Sequence, residues 1–123
     1  MTDDGDEIAV PTLLHARGWI VVPVRVGAIF ELQFVLNTGF LSTAISARTR
    51  TVLSAMGHVG ETRGRPHVLR NLTLAGRPIP DLPVRISPAL SLLGVEGALG
   101  LDFLRQFRDV HFNLPSRRLT LRR

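Results

Sequence analysis

The residues that could carry chemistry form a short polar turn at the end of an apolar segment. Residues 34–36 (FVL) lead directly into Asn37, Thr38 and Gly39. An apolar strand of this kind delivers its end into a dry site, where electrostatic interactions are strong. The Thr38 hydroxyl can hydrogen-bond, and Gly39 lets the backbone turn and a ligand approach closely. The Asn37 amide can donate and accept hydrogen bonds but cannot accept a proton, so it supplies no general acid or base.

A second segment, about sixty residues later, combines an apolar pair, a glycine and the start of a short helix. Residues 98–104 (ALGLDFL) place an apolar pair before Gly100 and then begin a short helix. An isolated Asn-Thr-Gly sequence is common turn chemistry and has little specificity. Its order and spacing relative to the second segment, and to the strands around both, therefore carry the interpretation.

The elements that must position these residues are mostly strands. Alternating and β-branched apolar residues predict hairpins and closing strands, with Pro23 placing the first strand at an edge or a bulge. Ser46 predicts a helix start and Gly57 its end. The predicted strands are 19–26, 29–36, 68–74, 79–86, 110–113 and 118–121, and the predicted helices are 46–57 and 102–107. The pattern predicts an all-β domain with one or two short helices over residues 9–123, preceded by an acidic flexible tail at residues 1–8.

Composition limits the functional classes. A chain of 123 residues is one domain with a real core, and 45% hydrophobic content suits a globular protein. The absence of cysteine excludes disulfides and thiolate metal sites, and the four histidines have no ligand spacing, so we expect no metal and no cofactor. Neither a signal peptide nor an apolar run long enough for a membrane span is visible. We therefore expect a cytoplasmic location.

The basic charge is carried entirely by arginine. All 15 basic residues are Arg, the net charge is +5, and four arginines lie in residues 117–123. Such a surface pairs with carboxylate or phosphate, so a small Arg-rich β-domain that binds nucleic acid is one alternative function. No aromatic residues alternate with the arginines to stack on bases, so the sequence does not favour nucleic acid as the partner.

The two motifs together resemble those of retropepsin-like aspartic proteases. Residues 34–40 resemble the family's active-site loop, with Asn37 where the family has its catalytic Asp. Residues 98–107 resemble the family's second motif, and residues 110–121 its closing strands. Phe40 after the triad resembles the Asp-Thr-Gly-Phe variant of prokaryotic members. The resemblance extends from about residue 19 to residue 121, in the family's order and spacing.

This resemblance implies a closed β-barrel of the acid-protease type, and a homodimer that cleaves extended peptides with a water held between two carboxylates, one from each copy. A Gly-rich flap over residues 60–66, with Gly64 at its tip, would close on the peptide. Residues 117–123 could form the dimer sheet. The implied catalytic residues are Asn37, Thr38 and Gly39, and the implied substrate-binding residues are Phe40, Gly60, Arg63, Gly64, Leu99 and Gly100.

Two departures from the family change what this chain is expected to do. Leu41 and Leu101 occupy positions where retroviral enzymes have an ion pair, and we expect an apolar contact there instead. Asn37 makes the chain inactive as written, because an amide neither activates water nor protonates the leaving amine. Asn37 is either an engineered inactivation of an aspartic endopeptidase or the mark of a natural pseudoprotease that binds peptides without cleaving them.

Overall fold

The computed structural model describes residues 7–15, 18–60 and 67–123, and its strands form two sheets. The strands are β1 (Glu7–Pro11), β2 (Leu13–Leu14), β3 (Ile20–Val26), β4 (Phe30–Leu36), β5 (Ala44–Ile45), β6 (Val59–Gly60), β7 (His67–Leu69), β8 (Leu72–Leu74), β9 (Arg77–Ile79), β10 (Leu82–Ile86), β11 (Gly97–Leu99), β12 (Asp109–Asn113) and β13 (Arg118–Arg122). The helices are α1 (Ala47–Ala55), α2 (Pro88–Leu93) and α3 (Leu101–Leu104).

The larger sheet has the order β6-β7-β10-β5-β11-β4-β3-β8-β9, with β2 paired to β3, and it curls around the main apolar core. The smaller sheet has the order β1-β13-β12. Both sheets contribute buried side chains to this core, with Ile8 and Leu121 from the small sheet and Val22 and Phe34 from the large one. The predicted all-β class is confirmed, with three short helices rather than one or two.

The centre of the large sheet brings the two sequence motifs together. β11 pairs in parallel with β4, with Leu99 opposite Leu36, and antiparallel with β5, with Ala98 opposite Ala44. The loop between β4 and β5 must therefore cross the end of β11. Because the buried β11 is Gly-Ala-Leu, the neighbouring strands can pack closely, and a Cβ on Gly97 would strike the Phe34 ring. This arrangement places residues 37–43 directly against the second motif.

The first hairpin and the first helix form as the sequence predicts. β3 and β4 pair antiparallel along their whole length, and the Ser46 hydroxyl caps α1 by accepting from the Thr49 N–H.

Pro23 lies within a strand that has neighbours on both sides. The second side of β3 is paired only at residues 20–21, by β2, and at 25–26, by β8. Proline, which has no N–H to donate, therefore occupies the gap between them.

The two long strands predicted at 68–74 and 79–86 are each interrupted. Asn71 has a φ of 60°, a left-handed conformation that asparagine tolerates better than most residues, and it separates β7 from β8. Ala75 and Gly76 also have positive φ and form the tight turn from β8 to β9. The predicted turn at residues 75–78 is thus shorter, and Arg77 and Pro78 belong to β9.

The sequence analysis missed α2, β1 and the short strands β2, β5 and β11, although signals for the first two were present. α2 has proline at its first position and ends at Gly94, whose φ of 72° is the left-handed conformation typical of a helix end. β1 includes Glu7 and Ile8, which the sequence placed in the flexible tail. Ile8 and Val10 are almost fully buried, an alternation that the neighbouring acidic residues obscured. Residues 1–6 lie outside the described residues.

Among the described residues, no helix has both the length and the apolar character needed to cross a membrane.

Candidate active site

Asn37 lies where β4 leaves the sheet, and its backbone is held in place on both sides. Its N–H donates to the Leu99 carbonyl at 3.0 Å, and its own carbonyl accepts from the Phe40 N–H at 3.2 Å. The residue is half-buried, while Thr38 and Gly39 are exposed at the tip of the loop. The polar turn predicted from the sequence is therefore exposed at its tip and held at its first residue by backbone hydrogen bonds.

Gly39 lies in close contact with the Asn37 side chain within the loop. Its N–H donates to Oδ1 of Asn37 at 2.9 Å, and a Cβ built on Gly39 would lie 3.1 Å from the same oxygen. The backbone of Gly39 is not in the left-handed region, so the predicted need for turning freedom is not the physical reason for glycine here. An aspartate at position 37 would offer the same acceptor to the Gly39 N–H, because the two side chains are nearly isosteric.

Leu99 and Gly100 support the loop from behind. Both are buried, and Gly100 is packed so tightly that a Cβ would lie 2.8 Å from the Phe40 carbonyl oxygen and 2.8 Å from the Ser42 carbonyl carbon. The next N–H groups, of Leu101 and Asp102, donate to the carbonyls of residues 40 and 41 at 2.8 and 3.1 Å. In the structure, these two predicted substrate-binding residues contact the loop.

A hydrogen-bond network around the buried Thr43 completes the brace, and the sequence analysis did not identify it. The Thr43 N–H and hydroxyl both donate to Oδ1 of Asp102, at 2.9 and 2.7 Å, and the Thr43 hydroxyl accepts from the Gly100 N–H at 3.1 Å. The N-cap position of α3 is Gly100, and Asp102, in the first turn, joins the second motif to the loop. The signal available in the sequence was a Thr six residues after Asn37 and an Asp two residues after Gly100.

The expected apolar contact between Leu41 and Leu101 is not how the two motifs are joined. Leu41 is 74% exposed, so it buries little surface within the chain. The link consists of backbone hydrogen bonds and the Thr43–Asp102 pair described above. A half-buried carboxylate that accepts three hydrogen bonds thus stands in the region where the resemblance implied an ion pair.

An apolar cavity of about 180 Å³ opens beside Asn37. Phe40 forms one of its walls, and the Asn37 amide is the main polar side-chain group of its lining, together with the indole of the half-buried Trp19. Two leucines from α2 and its C-terminal end enclose the other side. The lining residues are Trp19, Val35, Leu36, Asn37, Phe40, Leu90, Leu93, Val95 and Ala98.

Arg85 stacks on Phe40. Its guanidinium carbon lies 5.6 Å from the centre of the Phe40 ring, within the range of a cation–π interaction. The backbone of Arg85 is fixed by β10, where its N–H donates to the Thr43 carbonyl at 3.1 Å. The backbone of Arg85 is therefore hydrogen-bonded to Thr43, the residue that also braces the Asn37 loop.

The hairpin predicted as a flap is described only at its base. β6 and β7 pair antiparallel, with Gly60 opposite Val68, and a Cβ on Gly60 would collide with the Arg70 guanidinium. Gly60 does not line the cavity beside Asn37. Arg63 and Gly64, at the predicted tip, lie outside the described residues.

Residues 117–123, which the resemblance suggested for a dimer sheet, include the central strand of the small sheet. β13 has β1 on one side and β12 on the other, so β12 and β1 are the outer strands of the small sheet. Arg122 contacts Glu7 at 3.4 Å and Asp109 at 4.0 Å. One of the four arginines in residues 117–123 therefore forms ion pairs with carboxylates of the same chain.

Comparison with known proteins supports the fold assignment. The structure is similar to that of a retropepsin-like aspartic protease from Rickettsia conorii, with 15% identity over 94% of this chain and 88% of that chain and a TM-score of 0.60. It is also similar to the retroviral protease-like domain of Ddi1 from Leishmania major, with 22% identity over 79% of this chain and 80% of that chain and a TM-score of 0.56. No protein-family model and no curated protein sequence matches the chain significantly. The chain has the retropepsin-like fold.

Within the described residues, no group of three or more His, Asp or Glu side chains is arranged to hold a metal ion.

Proposed function

We propose that this chain is an aspartic endopeptidase scaffold that binds extended peptides as a homodimer and does not cleave them, because Asn37 replaces the catalytic carboxylate. The observation that carries this proposal is the placement of Asn37. The residue is held by the second motif, is partly open to solvent, and contributes its amide to an otherwise largely apolar cavity. Such a cavity with few oriented polar groups is typical of a binding site.

The chemistry requires a second copy. Peptide hydrolysis in this class needs two carboxylates that share a proton, so that the pair can activate a water and then protonate the leaving amine. One chain supplies a single loop of the required sequence. Two loops can meet only on a two-fold axis between identical subunits. Thr38, exposed beside Asn37, is then in a position to hydrogen-bond across that axis.

The small sheet is the surface we propose for subunit contact. β12 is an outer strand, and four of its five residues are exposed, including Val110 at 42%. The adjoining Leu114 is 65% exposed. An outer strand with exposed apolar residues invites pairing with another strand, and native proteins rarely leave such a strand uncovered. Pairing of β12 with its symmetry mate would satisfy its free backbone groups.

Asn37 explains the expected lack of activity without any change in the fold. The amide keeps the shape of aspartate and the hydrogen bond from the Gly39 N–H. It carries no exchangeable acid or base function at working pH, and loss of a general acid–base group costs about 10²–10⁴-fold in rate. With both members of the pair replaced, turnover falls below detection.

The test is the single substitution Asn37→Asp, assayed with a diverse peptide library from pH 3 to pH 7. We expect cleavage by the variant alone, abolished by a peptidomimetic inhibitor of aspartic proteases. Asn37→Ala serves as the matched control, since it changes the same position without adding a carboxylate. A folded, dimeric Asn37→Asp protein that cleaves no peptide in the library would overturn the endopeptidase proposal.

A second candidate is a natural pseudoprotease that only binds peptides. It is favoured by the cavity beside Asn37, whose apolar lining would hold a side chain without any catalytic group. This candidate predicts that Asn37→Asp binds peptides as the parent chain does and remains inactive. Cleavage by Asn37→Asp therefore separates the two candidates, and peptide binding by both proteins, measured beside it, distinguishes a pseudoprotease from a chain that binds no peptide.

A further inference from the structure

We infer that Arg85 forms a cationic subsite that selects an acidic side chain in the bound peptide, two residues from the side chain that fills the cavity beside Asn37. The inference rests on the proposed function, because it names the class of peptide that the same site would take. It is carried by the position of Arg85 relative to Phe40, by the size and lining of the cavity, and by the geometry of an extended peptide.

The cavity determines the first recognised side chain. Its volume of about 180 Å³ is enclosed by aromatic and aliphatic side chains. An apolar protein cavity of about 150 Å³ is large enough to hold a benzene molecule. Phe40 and Trp19, which also stacks on His15, both line the cavity, and aromatic pairs favour edge-to-face or offset contacts, so an aromatic side chain bound there meets aromatic partners. The first feature of the peptide is therefore a phenylalanine-like residue.

Arg85 determines the second recognised side chain. Its guanidinium lies against Phe40, whose ring also borders the cavity, while Arg85 itself does not line it. Arg85 is exposed, and no carboxylate of the described residues forms an ion pair with it. Asp102, the acidic residue of the brace, accepts its three hydrogen bonds from Thr43 and Phe103 instead. The guanidinium is thus available to a ligand carboxylate.

The spacing follows from strand geometry. In an extended peptide, side chains two residues apart lie on the same face and are separated by about 6.7 Å. Arg85 lies beside the Phe40 wall of the cavity, with its guanidinium carbon 5.6 Å from the centre of that ring, so it is next to the cavity and does not line it. A residue two positions from the phenylalanine therefore reaches Arg85, whereas an immediate neighbour points to the opposite face.

Two contacts orient Arg85. Its backbone N–H donates to the Thr43 carbonyl, and its guanidinium lies over the Phe40 ring. Arginine also presents a planar pair of donors that matches a carboxylate.

The lone tryptophan provides the readout. Trp19 lines the cavity, and the chain has no other tryptophan and no tyrosine, so its fluorescence reports only on this site. The probes are capped heptapeptides of alanine with phenylalanine at the fourth position. Glutamate is placed at each other position in turn, and an otherwise identical glutamine peptide is the control. The parent chain with Asn37 is used, so that no peptide is consumed during titration.

We expect the glutamate peptide to bind about three- to fivefold tighter than its glutamine counterpart at low ionic strength, when the substitution lies two positions from phenylalanine. The difference should shrink at high salt, where the interaction is screened. It should disappear in Arg85→Met, which keeps a long apolar stem against Phe40. Arg25→Met is the matched control, because Arg25 is an exposed strand arginine paired opposite Glu31, away from the cavity.

Two results would overturn the inference, and they are distinguishable. Equal binding of glutamate and glutamine peptides at every position, or a preference that survives Arg85→Met, would eliminate the Arg85 subsite and leave peptide binding intact. Absence of binding by every peptide, checked by calorimetry as well as fluorescence, would remove the proposed function and the subsite with it.

Discussion

The Asn37 loop and the small terminal sheet differ in how many of their contacts are supplied by one chain. The loop is closed from behind by Leu99 and Gly100 and by the Thr43–Asp102 hydrogen bonds. The terminal sheet leaves β12 as an outer strand with exposed apolar side chains. Within the described residues, the loop is held by contacts inside the chain, whereas β12 has no strand on its outer side. This contrast underlies the proposed dimer, in which the loop would supply one half of the site and β12 the contact between subunits.

The largest effect is expected from a side chain at position 100. Gly100→Ala forces a methyl group against the backbone of Phe40 and Ser42, neither of which can rotate away. We expect a loss of about 3 kcal/mol in the free energy of unfolding, measured by chemical denaturation, together with loss of peptide binding.

Gly94→Ala provides the control for that substitution. Gly94 has a φ of 72°, and a Cβ built there would have nothing within 4 Å, so the cost is conformational, about 1–2 kcal/mol. Peptide binding should persist in this variant. If Gly100→Ala were no more destabilising than Gly94→Ala, the close packing of the brace would not be a determinant of the loop.

The next effect concerns the half-buried carboxylate of Asp102. Asp102→Ala leaves the N–H and hydroxyl of Thr43 without their acceptor, and we expect a loss of about 2–3 kcal/mol. Asp102→Asn retains an oxygen at the same place and should cost about 1 kcal/mol, because the hydrogen bonds lose their charge assistance. Equal losses for the two variants would contradict the assignment of Asp102 as the acceptor that joins the motifs.

A smaller effect is expected at the free edge. Val110→Lys places a charge on exposed β12, and we expect at least a tenfold rise in the dimer dissociation constant, about 1.4 kcal/mol, measured by sedimentation equilibrium. The unfolding free energy of the monomer should change little. Leu92→Lys is the matched control, since Leu92 is 89% exposed on α2. Equal dissociation constants for the two variants would exclude β12 from the interface.

The smallest effect lies within the terminal sheet. Glu7→Gln removes the ion pair with Arg122, in which both side chains are substantially exposed. Exposed pairs contribute little, so we expect a loss of about 0.5 kcal/mol or less, reduced further in high salt. A loss of about 2 kcal/mol or more would show that β1 depends on this pair rather than on burial of Ile8 and Val10.

Much of the fold was predictable because its signals are local. The alternation of residues 29–36, the Ser46 cap and the closing strands follow from side-chain period and capping chemistry. The brace of the site was less accessible. Thr43 and Asp102 are 59 residues apart and meet only through strand pairing, so neither residue alone indicates the other. The interruption at Asn71 was also missed, because a positive φ at a single asparagine leaves no periodic signal.

The most direct test of the account is a mixing experiment with Asn37→Asp. Parent and variant chains are exchanged at fixed total concentration, and peptide cleavage is measured against the fraction of variant. If the site is shared by two subunits, activity follows the square of that fraction, because only a pair of variant chains has both carboxylates. Activity that rises linearly with the fraction would contradict the shared site, and the absence of activity in pure variant would contradict the endopeptidase assignment.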